Sequence, residues 1–110
     1  MTDDLDRQIL AELQKDARIS NKELARRVNL SPPATHSRVK RLEANGYIRN
    51  YVALIEHKKV DYDMLCFVRV SLQLHDLDQV TGFHEAIRQM SEVLECHHVT
   101  GDYDYLLKVV

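Results

Sequence analysis

The chain has 110 residues, a formal net charge of −2, and 45% hydrophobic against 29% charged residues. That balance is too apolar for a disordered chain. The acidic Met1-Thr2-Asp3-Asp4 start lacks the apolar core of a signal peptide, and no run of about 18 apolar residues offers a membrane span. Cys66 and Cys96 are too few for a disulfide framework, so a reducing cytoplasm is the expected compartment.

The first fifty residues read as helices. Leu5, Ile9 and Leu13 repeat at i, i+4 and i+8, which predicts a helix from about Asp4 to Lys15. Asp3, Asp4 and Asp6 sit at its start, where the helix dipole favours negative charge. Ser20 with Glu23 three residues later reads as a capping box. A second helix follows to about Val28, with Leu24, Ala25 and Val28 inward. After the short Asn29-Leu30 connection, Ser31 is an N-cap and Pro32 fits the first helical position. This third helix runs to about Ala44, turns Thr35, Val39 and Leu42 inward, and ends at Asn45-Gly46.

Tyr47-Ile48 and Tyr51–Ile55 carry strand signals, read as a small wing or the start of a linker strand. Tyr47 and Tyr51 either stack on nucleic acid or pack that wing on the helices. Glu56–Asp63 is polar and marks a boundary. Met64–Leu74 alternates at period two, predicting a strand whose Met64, Cys66, Val68, Val70, Leu72 and Leu74 face is fully buried. Its Leu65 and Phe67 face suits dimerisation. Asp76 or Asp78 caps a helix bearing Val80, Phe83, Ile87 and Met90. Strands are expected over Val93–Val99 and Tyr103–Val110, around a Gly101-Asp102 turn. The order β-α-β-β next calls for a helix and a fourth strand, so the second module reads as cut short.

Charge divides the chain the same way. Up to Asn50, ten Lys and Arg stand against seven Asp and Glu, a net of +3; from Tyr51 on, five stand against ten, a net of −5. Either two modules meet different partners, or the basic block is an ordinary solvated surface. Helix, helix, short turn and Ser-Pro-capped helix form a helix-turn-helix pattern, whose last helix enters the major groove. The side of that helix opposite its apolar residues carries Pro33, Ser37, Lys40 and Ala44, with His36 and Arg41 flanking. His36, Ser37 and Lys40 suit base edges. Arg38 and Arg41, with Arg18, Asn21, Lys22 and Arg49, suit phosphates, and Ser31 sits at the helix entry.

Two further clusters have competing readings. Thr100, Gly101, Asp102, Tyr103 and Asp104 form either a plain β-turn or a site where carboxylates and backbone hold a small zwitterion. Cys96-His97-His98 supplies at most two ligands from one strand face, so a buried cysteine beside two edge histidines is expected rather than a metal site. His57, His75 and His84 read as surface residues.

The segments Leu5–Leu10, Ser20–Ala25, Leu30–Pro32, Arg38–Glu43, Gly46–Ile48 and Val99–Asp104 together resemble the Lrp/AsnC, or feast/famine, family of transcription regulators. The resemblance implies an α+β chain: a winged helix-turn-helix over 1–50, a linker strand and hinge over 51–63, and an incomplete ferredoxin-like βαββαβ effector domain over 64–110. It implies double-stranded DNA and a small effector, an amino acid, as partners, with homodimers or octamers as the assembly. It favours the effector role for Thr100–Asp104, Asp102 foremost. A symmetric dimer would set two reading helices about 34 Å apart. A cytoplasmic, nucleoid-associated regulator is expected, with no membrane partner and no cofactor. No nucleophile–base pair, phosphate-binding glycine motif or HExxH points to an enzyme. The rival readings are a metabolite-binding regulatory subunit of an enzyme, and a metal-responsive module using Cys96 and His98.

Overall fold

The computed structural model describes residues 3–73 and 75–110. The chain divides at Ala53/Leu54 into two compact units.

The first unit is three helices, each started by a side chain. The Asp3 carboxylate accepts the Asp6 N–H at 2.8 Å and opens α1 (Asp4–Lys15). Ser20 Oγ accepts the Glu23 N–H at 3.1 Å and opens α2 (Asn21–Val28). The Glu23 carboxylate does not close the expected capping box. It takes the Arg26 and Arg27 guanidiniums at 2.6 and 3.0 Å, because charged donors outbid a backbone amide. Ser31 Oγ opens α3 (Pro32–Ala44), with Pro32 in the first turn.

Asn29 (φ 57°) ends α2 and Gly46 (φ 78°) follows α3, both in the left-handed region. Ile9, Leu24, Val28 and Leu42 make the buried core, and Leu10, Leu13, Ile19, Leu30, Val39 and Ile48 pack around it. Thr35 is buried too, its hydroxyl donating to the Ser31 carbonyl at 3.0 Å.

No strand forms at Tyr47-Ile48 or Tyr51–Ile55 among the described residues. The Tyr47 and Ile48 amides both return to the Leu42 carbonyl, at 3.0 and 3.3 Å, which closes α3 and removes them from any ladder. Val52, Leu54 and Ile55 are exposed. A short 3-10 turn, His57–Val60, interrupts the polar boundary.

The second unit contains β1 (Cys66–Val70), α4 (Leu77–Arg88), β2 (Val93–His98) and β3 (Tyr105–Val109). The sheet is antiparallel in the order β1-β3-β2, with Val68 and Cys96 both opposite Leu107 and a bulge between Val93 and Glu95. Asp76 caps α4 by accepting the Gln79 N–H at 2.8 Å.

The first strand is shorter than its period-two pattern predicts, and Leu74 lies outside the described residues. Beyond Val70 the Asp104 side chain takes over from the ladder, accepting the Leu72 N–H at 2.7 Å. Likewise Tyr103 and Asp104 lie ahead of β3, which begins at Tyr105. The predicted fully buried face is corrected as well. Met64 is 71% exposed and Val68 40%, because α4 lies against β2 and stacks Phe83 on Tyr105 of β3 at 4.6 Å rather than covering β1. Only Tyr105 and Leu107 are buried apolar residues among those described in this unit.

Candidate nucleic-acid interface and effector turn

In the first unit, α3 presents Pro33, His36, Ser37 and Lys40 to solvent. At about 100° per residue these four occupy roughly 100° of the helix circumference, away from Thr35, Val39 and Leu42. Lys40 lies 3.5 Å from Glu43 on its own helix and is 63% exposed, so its ammonium remains accessible. Arg18, Lys22 and Arg49 are exposed outside α3. Asn21 and Ser31 serve the turn itself: the Asn21 amide donates to the Pro32 carbonyl at 2.8 Å, fastening α2 to the entry of α3, while Ser31 caps α3.

Arg38 and Arg41 are not the free phosphate donors that their sequence positions suggest. Arg38 Nη1 donates to Asp3 at 2.8 and 2.9 Å and to Asp6 at 3.1 Å; Arg41 Nη2 donates to Asp6 at 3.0 and 3.2 Å. The Arg38 guanidinium and the Asp6 N–H hold the Asp3 carboxyl below the usual carboxylate range. Asp6 itself is 1% exposed. A buried carboxylate needs paired donors, and α3 supplies both. Periodicity alone could have flagged it: Asp6 precedes Ile9 by three residues and Leu10 by four, which places it on the apolar stripe of α1.

In the second unit, Gly101 turns the chain at φ 119°, with Thr100 and Asp102 exposed beside it. Tyr103 is half-buried under the Arg69 guanidinium, 5.4 Å from the ring centre. Asp104 is half-buried, 3.0 Å from His75 Nε2. The His75 ring and then the Leu72 N–H hold its carboxyl below the usual range.

Asp104 also lines a cavity of about 410 Å³ with Leu72, His75, Val80, His84, His98 and Tyr105. Asp102 does not line it. The structure thus joins Asp104 to three histidines that the sequence scattered.

His84 is not a surface residue: it is half-buried, 3.0 Å from the Tyr105 hydroxyl, because α4 lays it over β3. His98 stacks on the same ring at 5.1 Å. Cys96 is exposed rather than buried, since β2 is an edge of the sheet. His97 lies on the other face, 3.7 Å from Glu95. Among the described residues no three His, Cys, Asp or Glu are grouped to hold a metal ion, and no helix is long and apolar enough to cross a membrane.

Comparison with known proteins matches both units. Residues 2–49 fit the winged helix-turn-helix DNA-binding family and residues 65–110 the Lrp/AsnC ligand binding domain. Leucine-responsive regulatory proteins of Escherichia coli and Klebsiella pneumoniae are each 48% identical over 106 residues, 96% of this chain. The chain spans 65% of the length of these curated relatives. Among solved structures, a transcriptional regulator from Neisseria meningitidis in complex with L-Met is 38% identical with a TM-score of 0.93, the match covering 99% of this chain and 70% of that one. An AsnC family transcriptional regulator from Agrobacterium tumefaciens is 36% identical with a TM-score of 0.90, covering 98% and 71%.

Proposed function

The chain belongs to the Lrp/AsnC family, and on that premise we propose that it is a sequence-specific DNA-binding transcriptional regulator answering to an amino-acid effector. The observation that carries the reading is the solvent-facing Pro33, His36, Ser37 and Lys40 side of α3, within a unit of net positive charge. His36, Ser37 and Lys40 read base edges. Arg18, Lys22 and Arg49 take phosphates, and Asn21 and Ser31 set the turn.

Residues 1–50 are the DNA-binding domain, 51–63 the linker and hinge, and 64–110 the effector and assembly domain. Phe67, 63% exposed on the sheet face turned away from Tyr105 and Leu107, suits a homodimer contact. That dimer, or an octamer of it, would present two copies of α3 to a pseudo-palindromic site. The Thr100–Asp104 turn receives the effector, with a carboxylate placed for its ammonium. The setting is the cytoplasm, on the nucleoid, and the role is regulatory rather than enzymatic, as the names of the relatives indicate.

The test is an anisotropy titration of a duplex that the protein selects from a random-sequence pool, across a salt series, with and without a panel of amino acids. Binding is expected to weaken with salt, and Lys22→Ala with Arg49→Ala to flatten the logarithmic slope by about one unit per lost phosphate contact. At least one amino acid is expected to shift affinity. A slope unchanged in the double variant overturns the interface, and indifference to every amino acid overturns the effector.

A further inference from the structure

We propose that Asp6 is the positioning residue of the DNA-reading helix: its buried carboxylate, by holding Arg38 and Arg41 together, fixes the rotation of α3 about its own axis. The inference rests on the DNA-binding reading above. Helix α3 meets the core through a stripe of Thr35 and Leu42, both buried, and Val39, half-buried, with Ala34 half-buried beside it on the side of Arg38 and Arg41. At about 100° per residue this stripe spans only some 60° of the circumference. A helix seated on one line can roll about that line.

Arg38 and Arg41 leave α3 about 70° and about 130° from the centre of the stripe, and both guanidiniums end on Asp6, at 3.1 and 3.0 Å. Two anchors set at nearly a right angle define a rotation that one cannot. The base-reading side chains lie on the third side, about 120° from the clamp.

Asp6 is built to be the fixed member. Its N–H is held by Asp3 at 2.8 Å in the first turn of α1, and its side chain is 2% exposed. Asp3, whose side chain is 55% exposed, is an auxiliary partner that water reaches. A roll of about 20° moves a side-chain tip, some 5–6 Å from the axis, by roughly 2 Å. That exceeds the distance tolerance of a hydrogen bond to a base edge. Phosphate contacts, made by long exposed chains, follow the displacement. Asp6 therefore governs the ratio of specific to non-specific affinity, not affinity in general.

The experiment measures binding of the wild-type chain and Asp6→Asn to two duplexes: the one the wild type selects from a random pool, and a scrambled version of it. Asp6→Asn is expected to lose at least about tenfold on the selected duplex, the equivalent of one lost base contact, and to keep scrambled-duplex binding within about twofold. If circular dichroism shows that Asp6→Asn is unfolded, Arg41→Lys decides. It keeps the charge but ends about one bond short of the Nη2 that meets Asp6, and is expected to lower the selected duplex alone. An unchanged ratio overturns the proposal, as does a parallel fall on both duplexes, which is what a lost phosphate contact gives. A wild-type chain that selects no sequence overturns the DNA reading itself, and the clamp with it.

Discussion

The two units spend their apolar residues differently. In the helical unit Ile9, Leu24, Val28 and Leu42 are each at most 3% exposed, and six further aliphatics close over them. In the sheet unit only Tyr105 and Leu107 reach comparable burial among the described residues, while Phe67, Leu94, Met64 and Val68 stay 40–71% exposed. The difference is one of geometry. Three short helices converge on a shared axis and bury one another's stripes. A three-stranded sheet has two faces, and one helix covers part of one. The helical unit is therefore stabilised from within, whereas the sheet unit leaves surface available to a partner.

The largest effect that could break this contrast is core truncation. Ile9→Ala is expected to destabilise the helical unit by about 2–5 kcal/mol, because Ile9 is fully buried and its cavity cannot collapse freely. Leu94→Ala, at a half-exposed sheet position, should remove less than about 1 kcal/mol at protein concentrations where the chain is monomeric. Urea titrations followed by circular dichroism measure both; equal losses would abolish the distinction. A smaller effect sharpens it. Ser31→Ala removes the acceptor for the Ala34 N–H and is expected to cost about 1 kcal/mol, with Ser31→Asp largely restoring it. An unchanged midpoint for Ser31→Ala would mean that the Ser31 cap adds nothing to the stability of α3.

How much of this was legible follows from the range of the forces involved. The three helices and their ends are local matters of period and capping, so Asp3, Ser20, Ser31 and Gly46 mark them in the sequence. The solvent-facing side of α3 follows from the same period. The Asp6 clamp joins residues 32 and 35 positions apart, and the sequence places its arginines equally well on phosphates. Strand ends were illegible for a related reason: β1 stops where Asp104, 32 residues away from Leu72, replaces its partner strand. The strand signals at Tyr47 and Ile48 were misleading because β-propensity does not record that both amides are already used on Leu42.

The smallest expected effect separates the units by acid. In the helical unit Arg27 bridges Glu12 of α1 at 2.9 Å and Glu23 of α2 at 3.0 Å, and Arg26 adds a second partner to Glu23. Those guanidiniums lower the Glu23 carboxyl from its ordinary 4.5 to about 2. A carboxyl whose pKa is depressed on folding contributes stability above its unfolded value. That contribution is lost as pH falls from about 4.5 towards 2. Glu23→Gln should accordingly lower the melting temperature of the helical unit slightly at pH 7 and progressively less as pH falls through about 2. The shift is small because the pair is exposed and solvent screens it, and added salt should shrink it further. The sheet unit, whose depressed carboxylate is Asp104, should show no such difference in the Glu23 variant. A pH-independent shift would mean that Glu23 acts through helix propensity or the Ser20 cap rather than through its charge.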